Sequence, residues 1–154
     1  MKALMLASSL VASAPTSSDT FAIACSGAIF NTSLRDGKTT ETKFSLPDQI
    51  FVFSEMSNVA LRAMPRRQEF ENICEIGAIG KKLDFSSDLI RTYWVSPTGW
   101  DAETTCEFKF NRTNNSATLR TKFEWSSSTQ SESEWRMACA PTEVPIFDIE
   151  ERSK

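Results

Sequence analysis

A chain of 154 residues fits one domain with one hydrophobic core. Its formal charge of −3 at neutral pH offers no basic footprint for a phosphate backbone or an anionic membrane. Four cysteines are present and no histidine, which excludes Ser-His-Asp, Cys-His and histidine-ligated metal chemistry.

The chain opens with Lys2, followed by Ala3, Leu4, Met5, Leu6 and Ala7, with Leu10, Val11 and Ala12 beyond. A positive residue before a short apolar stretch is the pattern of a secretory leader, and the stretch is too short to span a bilayer as a helix. Ala12 and Ala14 are the small residues before the favoured cut, so residues 1–14 read as a signal peptide and the product as periplasmic or secreted. Pro15 after that bond leaves the cleavage position open. Ala22-Ile23-Ala24-Cys25 offers a lipoprotein-type alternative, and an uncleaved N-terminus is the third reading. Cys25, Cys74, Cys106 and Cys139 all follow the favoured cut, and an even number in an exported chain predicts two disulfides. A four-thiolate zinc site, although no Cys-x-x-Cys pair occurs, and some free thiols are the alternatives.

Residues 15–20 are polar and Ser/Thr-rich, a flexible lead into a single β-domain over residues 21–149, with a charged tail at 150–154. Phe21, Ile23, Cys25 and Ile29 recur with period two, with Gly27 as a bulge or close-packing position. Asp36-Gly37 predicts a hairpin turn to the alternating set Thr42, Phe44 and Leu46. Pro47-Asp48 predicts a second turn. The run Ile50-Phe51-Val52-Phe53 then predicts a strand buried on both faces. A short strand over residues 59–64 is ended by Pro65, and a short helix is predicted at residues 67–74. A further strand covers residues 90–95, closed by Ser96-Pro97-Thr98-Gly99.

Three alternating runs follow, carried by Cys106, Phe108 and Phe110, by Leu119, Thr121, Phe123 and Trp125, and by Trp135, Met137 and Cys139. Separated at residues 111–116 and 126–133, they predict an antiparallel meander with one buried and one solvated face. Pro145, Ile146, Phe147 and Ile149 are expected to cross a sheet edge. The fold class is therefore all-β, a compact antiparallel barrel or sandwich of about seven or eight strands with one short helix.

The meander restricts the disulfides. Hairpins centred near residues 113 and 129 put Cys106 opposite Arg120, and Arg120 opposite residues 137–138. Cys106 and Cys139 then lie two strand spacings apart, about 9.6 Å, beyond disulfide reach. Cys25 with Cys139 and Cys74 with Cys106 is the preferred pairing, since it ties the opening strand to the last one. Cys25 with Cys106 and Cys74 with Cys139 remains open.

Tyr93, Trp94 and Trp100 flank residues 96–99 and form the candidate recognition cluster, because aromatics around a loop supply apolar area with polar edges. The competing reading is a loop clamped by its own core aromatics. Trp125 and Trp135 read as core residues of one hairpin. Arg62, Arg66 and Arg67, diluted by Glu69, Glu71 and Glu75, read as a solvated loop. The nearest carboxylate pairs are Asp84 with Asp88 and Glu132 with Glu134, and Ser126-Ser127-Ser128 reads as a hairpin loop without a Ser-x-x-Lys base. Asn31-Thr32-Ser33, Asn111-Arg112-Thr113 and Asn114-Asn115-Ser116 fit the glycosylation acceptor pattern, or serve as turn chemistry where no such modification exists. No nucleotide or calcium motif occurs, so no cofactor and no metal site is expected.

Ala24-Cys25-Ser26-Gly27, the segment Cys106-Glu107-Phe108-Lys109-Phe110-Asn111-Arg112 and Cys139-Ala140-Pro141 resemble small, exported, uncharacterised proteobacterial proteins. That resemblance implies export and no particular activity. Ile23-Ala24-Cys25-Ser26-Gly27 is also similar to the early aromatic-x-Cys-x-Gly segment of periplasmic inhibitors of C-type lysozyme, which are small β-barrels. Isoleucine stands at the aromatic position and the family's Ser-Gly-x-x-Tyr motif is missing, so no inhibitory residue carries over. The expected function is that of a noncatalytic exported binding protein, recognising an unknown protein or envelope component. A structural or envelope-associated protein and a lysozyme inhibitor are the alternatives; no nucleic-acid partner and no transmembrane segment are expected.

Overall fold

Period-two alternation extends further along the chain than its turn residues imply, and the strands are correspondingly long. The computed structural model describes residues 20–74, 82–97 and 99–147. The expected leader at 1–14, residues 15–19, Glu75, Ile149 and the expected tail at 150–154 lie outside the described residues. These contain β1 (Thr20–Arg35), β2 (Lys38–Ser54), β3 (Val59–Met64), β4 (Glu69–Asn72), β5 (Lys82–Phe85), β6 (Leu89–Val95), β7 (Glu103–Asn111), β8 (Ser116–Ser126) and β9 (Thr129–Thr142), and no helix.

All nine strands belong to one sheet in the order β4-β3-β2-β1-β9-β8-β7-β6-β5. Every neighbour pair is antiparallel. Two meanders, β1 to β4 and β5 to β9, are thus joined where the first strand pairs with the last. In a flat sheet β2 and β7 would stand four spacings apart, roughly 19 Å. Instead the Phe51 and Phe108 rings meet at 4.9 Å, and Phe53 reaches Phe108 at 5.8 Å and Phe110 at 6.2 Å. The sheet therefore rolls into a half-barrel whose concave side holds the core. All-β architecture and antiparallel pairing agree with the sequence reading; the described residues form nine strands in one half-barrel sheet, where a barrel or sandwich of about seven or eight was expected.

The Asp36-Gly37 turn sits between paired Arg35 and Lys38, with φ of 48° and 76° at its two residues. Both angles are positive, as the tight hairpin turn that matches strand twist requires. Pro47-Asp48 does not turn the chain. Cys25 pairs with Gln49 and Gly27 with Leu46, so Pro47 and Asp48 together face Ser26 as a bulge within β2. A proline lacking its N–H is accommodated at such a position on an unpaired edge. At the far end of β2, Phe51, Val52 and Phe53 are buried on both faces, where β1 and β3 flank them.

The helix predicted at residues 67–74 is absent. Arg67 and Gln68 donate backbone N–H groups to Met64 and Pro65, and Gln68 takes φ of 52°, so the chain turns tightly after β3. Glu69-Phe70-Glu71 then alternates as β4 against β3. Phe147 of the C-terminal segment packs on Phe70 of this edge strand at 4.8 Å, whereas Ile146 is exposed.

The C-terminal meander forms with a different second register. Ser126 pairs with Thr129, so β9 begins inside the predicted loop 126–133, and the turn centres near residues 127–128. Cys106 faces Thr121, Arg120 faces Glu134, and Cys139 lies beyond the end of β8, donating its N–H to Asn115. Cys106 and Cys139 are accordingly far apart. Cys25 is bonded to Cys139 across the β1–β9 seam, and Cys74 to Cys106 across the mouth of the curl. Two disulfides fit an oxidising, exported location. No helix among the described residues is long and apolar enough to cross a membrane.

Candidate binding cleft on the concave face

The concave face is made by every second residue of each strand, and its character changes along the strands. Ile23, Phe51, Phe53, Phe108, Phe110, Ala117 and Met137 fill one end as core. Toward the middle the walls separate. Phe51 pairs with Arg62 and Arg62 with Glu71, while Leu119 pairs with Trp135 on the other side, so these residues face the same space. They bound a cleft of about 620 Å³, with the Cys74–Cys106 disulfide in its wall. That volume lies within the roughly 300–1,000 Å³ of ligand pockets.

The cleft has one polar corner in a largely apolar wall. Arg62 is ion-paired with Glu71, and its guanidinium lies 5.4 Å from the Trp135 ring centre. A guanidinium over an indole face is attracted by the ring quadrupole. Arg62 Nε is buried and has no hydrogen-bond partner among the described residues. The sequence reading put Arg62 with Arg66 and Arg67 in one solvated loop. The hairpin separates them: Arg66 and Arg67 are exposed in the turn, and Arg62 faces inward in line with Ala60 and Met64.

From the cleft the inward row of β8 continues through Thr121, Phe123 and Trp125 to the rim. Trp125 is 50% exposed and stacks on Phe123 at 5.9 Å. It was expected in the core, but the β7 ladder ends at Glu103 opposite Glu124, so no strand covers it. Trp135, its expected core companion, is half-buried in the cleft wall. Trp100 and Trp125 border a shallow depression with Gly99, Asp101 and Ala102.

The predicted recognition residues do not form one surface. Trp94 is fully buried and meets Trp100 edge-on at 5.6 Å. Tyr93 points to the opposite, convex face, where Arg91 lies 5.4 Å from its ring centre. Trp100 alone of the three is substantially exposed, at 46%. Ser96 anchors the start of the loop: its N–H donates to the Thr104 carbonyl at 2.8 Å and its Oγ accepts the Thr104 N–H at 2.9 Å. Thr98 lies outside the described residues.

The convex face of the C-terminal meander carries charge ladders. Arg120 bonds Glu132 at 2.8 Å, Arg136 bonds Glu134 at 2.7 Å and Lys122 meets Glu124 at 2.8 Å. The hydrogen bond from Arg136 holds the Glu134 carboxyl below the ordinary range, against a weaker opposing effect of burial. At Glu107 burial pushes the carboxyl up, but hydrogen bonds and charge from Lys109 and Arg91 together outweigh it and lower the value. Glu132 and Glu134 are thus committed to cations, and Asp84 and Asp88 are both exposed. No group of three or more cysteine, aspartate or glutamate side chains among the described residues is arranged to hold a metal ion.

Ser126 and Ser128 cap the β8–β9 turn, with the Ser128 N–H bonded to Ser126 Oγ at 3.3 Å. Asn31 is half-buried within β1. The Asn111 side chain accepts the N–H groups of Thr113 and Asn114, and Asn114 accepts that of Ser116. Sequence reasoning missed Arg62 and Trp135 as cleft-lining residues and Trp125 as a rim residue. The alternation of Ala60, Arg62 and Met64 carried the signal for Arg62 once a hairpin replaced the helix. Comparison with family models, with curated proteins and with solved structures finds no match.

Proposed function

We propose that this chain is a noncatalytic exported binding protein that takes a protein partner on its concave face. The supporting observation is the cleft bounded by Trp135, Phe51, Leu119 and the Arg62–Glu71 pair, continued to the rim by Phe123 and Trp125. An apolar side chain of the partner would fill the cleft, and an acceptor beside it would meet the unpartnered Arg62 Nε. Recognition surfaces concentrate their energy in such aromatic and arginine positions. Trp100 and Trp125 extend the contact beyond the cleft; Trp94 supports Trp100 from beneath and does not itself meet the partner.

The test uses oxidised protein immobilised for capture from an envelope extract, with near-ultraviolet circular dichroism reporting the fold of each variant. A partner held by wild-type protein is expected to be lost from Trp135→Ala and from Trp100→Ala/Trp125→Ala, with weakening of about tenfold or more. Equal capture by folded variants would exclude the concave face and favour a structural, envelope-associated role.

A further inference from the structure

β2 is longer than its neighbour on one side. Only Phe51–Ser54 of β2 pair with β3, whereas β1 pairs along it from Lys38 onward. The stretch Lys38 to Ser45 therefore has one hydrogen-bonded edge and one unpaired edge among the described residues, and it is exposed throughout. The two-residue turn makes Lys38 bond to Arg35, so alternate residues Thr40, Thr42 and Phe44 bond to β1. Thr39, Glu41, Lys43 and Ser45 then direct their backbone N–H and C=O groups outward. Such an edge is a template for another strand unless its side chains oppose the pairing.

The side chains oppose two registers and favour one. If β2 meets β2 of a second copy antiparallel about a two-fold axis at Glu41, the two Glu41 carboxylates face each other. An axis at Lys43 opposes two ammonium groups. With the axis at Thr42, Glu41 of each copy faces Lys43 of the other, Thr39 faces Ser45 and Phe44 faces Thr40. Opposite charges directly across an antiparallel pair stabilise it and like charges destabilise it. Glu41 has no ion pair among the described residues, and Lys43 Nζ lies 5.3 Å from the Phe30 ring centre on the convex face, the side on which Glu41 also projects. Phe44, 55% exposed on the concave side, gains a neighbour in the same arrangement. The bulge at Pro47 and Asp48 ends the compatible stretch.

We propose that two copies of this chain associate edge to edge through β2, antiparallel and centred on Thr42, continuing one sheet through both. The inference is independent of the cleft and of what the cleft binds. Both copies contribute the same patch, so the contact is self-complementary and this stretch of β2 is fully used at two copies.

Sedimentation of the oxidised chain at micromolar to high-micromolar concentration tests it. A dimer is expected. Glu41→Lys places like charges at both symmetry-related contacts and is expected to weaken it about tenfold or more, and the double exchange Glu41→Lys/Lys43→Glu to restore it. Thr42→Cys is expected to yield a covalent dimer under mild oxidation, through a bond between the two introduced thiols. A monomer throughout the concentration range would overturn the proposal. So would a dimer that is indifferent to Glu41→Lys, or a Thr42→Cys protein that forms no covalent dimer.

Discussion

A methyl group added at Gly27 and one added at Gly37 act through different physics. At Gly27 a Cβ would stand 1.9 Å from the Arg136 carbonyl oxygen and 3.0 Å from the Met137 Cα, both backbone atoms of the adjacent strand β9. Gly27→Ala must push β1 from β9 and is expected to lower unfolding free energy by about 1–3 kcal/mol in urea titration. At Gly37 a Cβ meets nothing within 4 Å, but φ is +76°. Gly37→Ala therefore costs only the left-handed conformation, about 1–2 kcal/mol, and leaves the near-ultraviolet spectrum unchanged. Glu107 gives a pH signature. Its carboxyl is lowered in the folded state, so its contribution is fully present above the ordinary carboxylate value of 4.5 and is lost as pH falls through the lower folded value. Glu107→Gln is expected to flatten the stability profile in that acidic window and leave its slope near neutrality unchanged.

Elements were legible wherever the local pattern and the turn residues agreed. Asp36-Gly37 lies between two alternating runs, and the hairpin forms there; Val59 to Met64 ends at Pro65; from the apolar run Ile50 to Phe53, Phe51 to Phe53 lie in the part of β2 that β1 and β3 flank on both sides. Errors arose where tertiary pairing decided. Pro47-Asp48 has turn composition, but β1 already holds both flanks, so the surplus residue becomes a bulge. Glu69 to Asn72 is too short to display a period, and only pairing with β3 makes it a strand. Trp125 continues an alternating apolar row, yet burial requires an element above it, which no local pattern encodes. The cleft was illegible for a related reason: Arg62 and Trp135 are far apart in sequence and meet through the roll of the sheet. The Cys74–Cys106 bond ties the end of β4 to β7 across that roll. Cys74→Ala/Cys106→Ala is expected to cost about 2–4 kcal/mol and to increase binding of an apolar fluorescent dye as the cleft loosens. Unchanged dye binding would show that the Phe51–Phe108 contact holds the curl unaided.

At the scale of the molecule, the two meanders depend on sequence-local hairpins, and among the described residues the β1–β9 seam is the strand pairing that joins them, with long separation. Cys25 and Cys139 are 114 residues apart and are bonded across that seam. Non-local pairing is slow because loop closure must precede its reward. A chain ending before Thr129 retains β1 with one long edge unpaired and Cys25 without its partner; it is expected to be recovered as aggregate or as mixed disulfides, whereas full-length oxidised protein remains soluble. The adjacency of first and last strands also sets a timetable for biosynthesis. The β1–β2 hairpin leaves the ribosome well before β9, and Cys25 waits through a separation of 114 residues for Cys139 to reach its other flank. During that interval the unpaired edge of β1 is open to pairing with other chains, a hazard that begins with β1 and is relieved when β9 arrives.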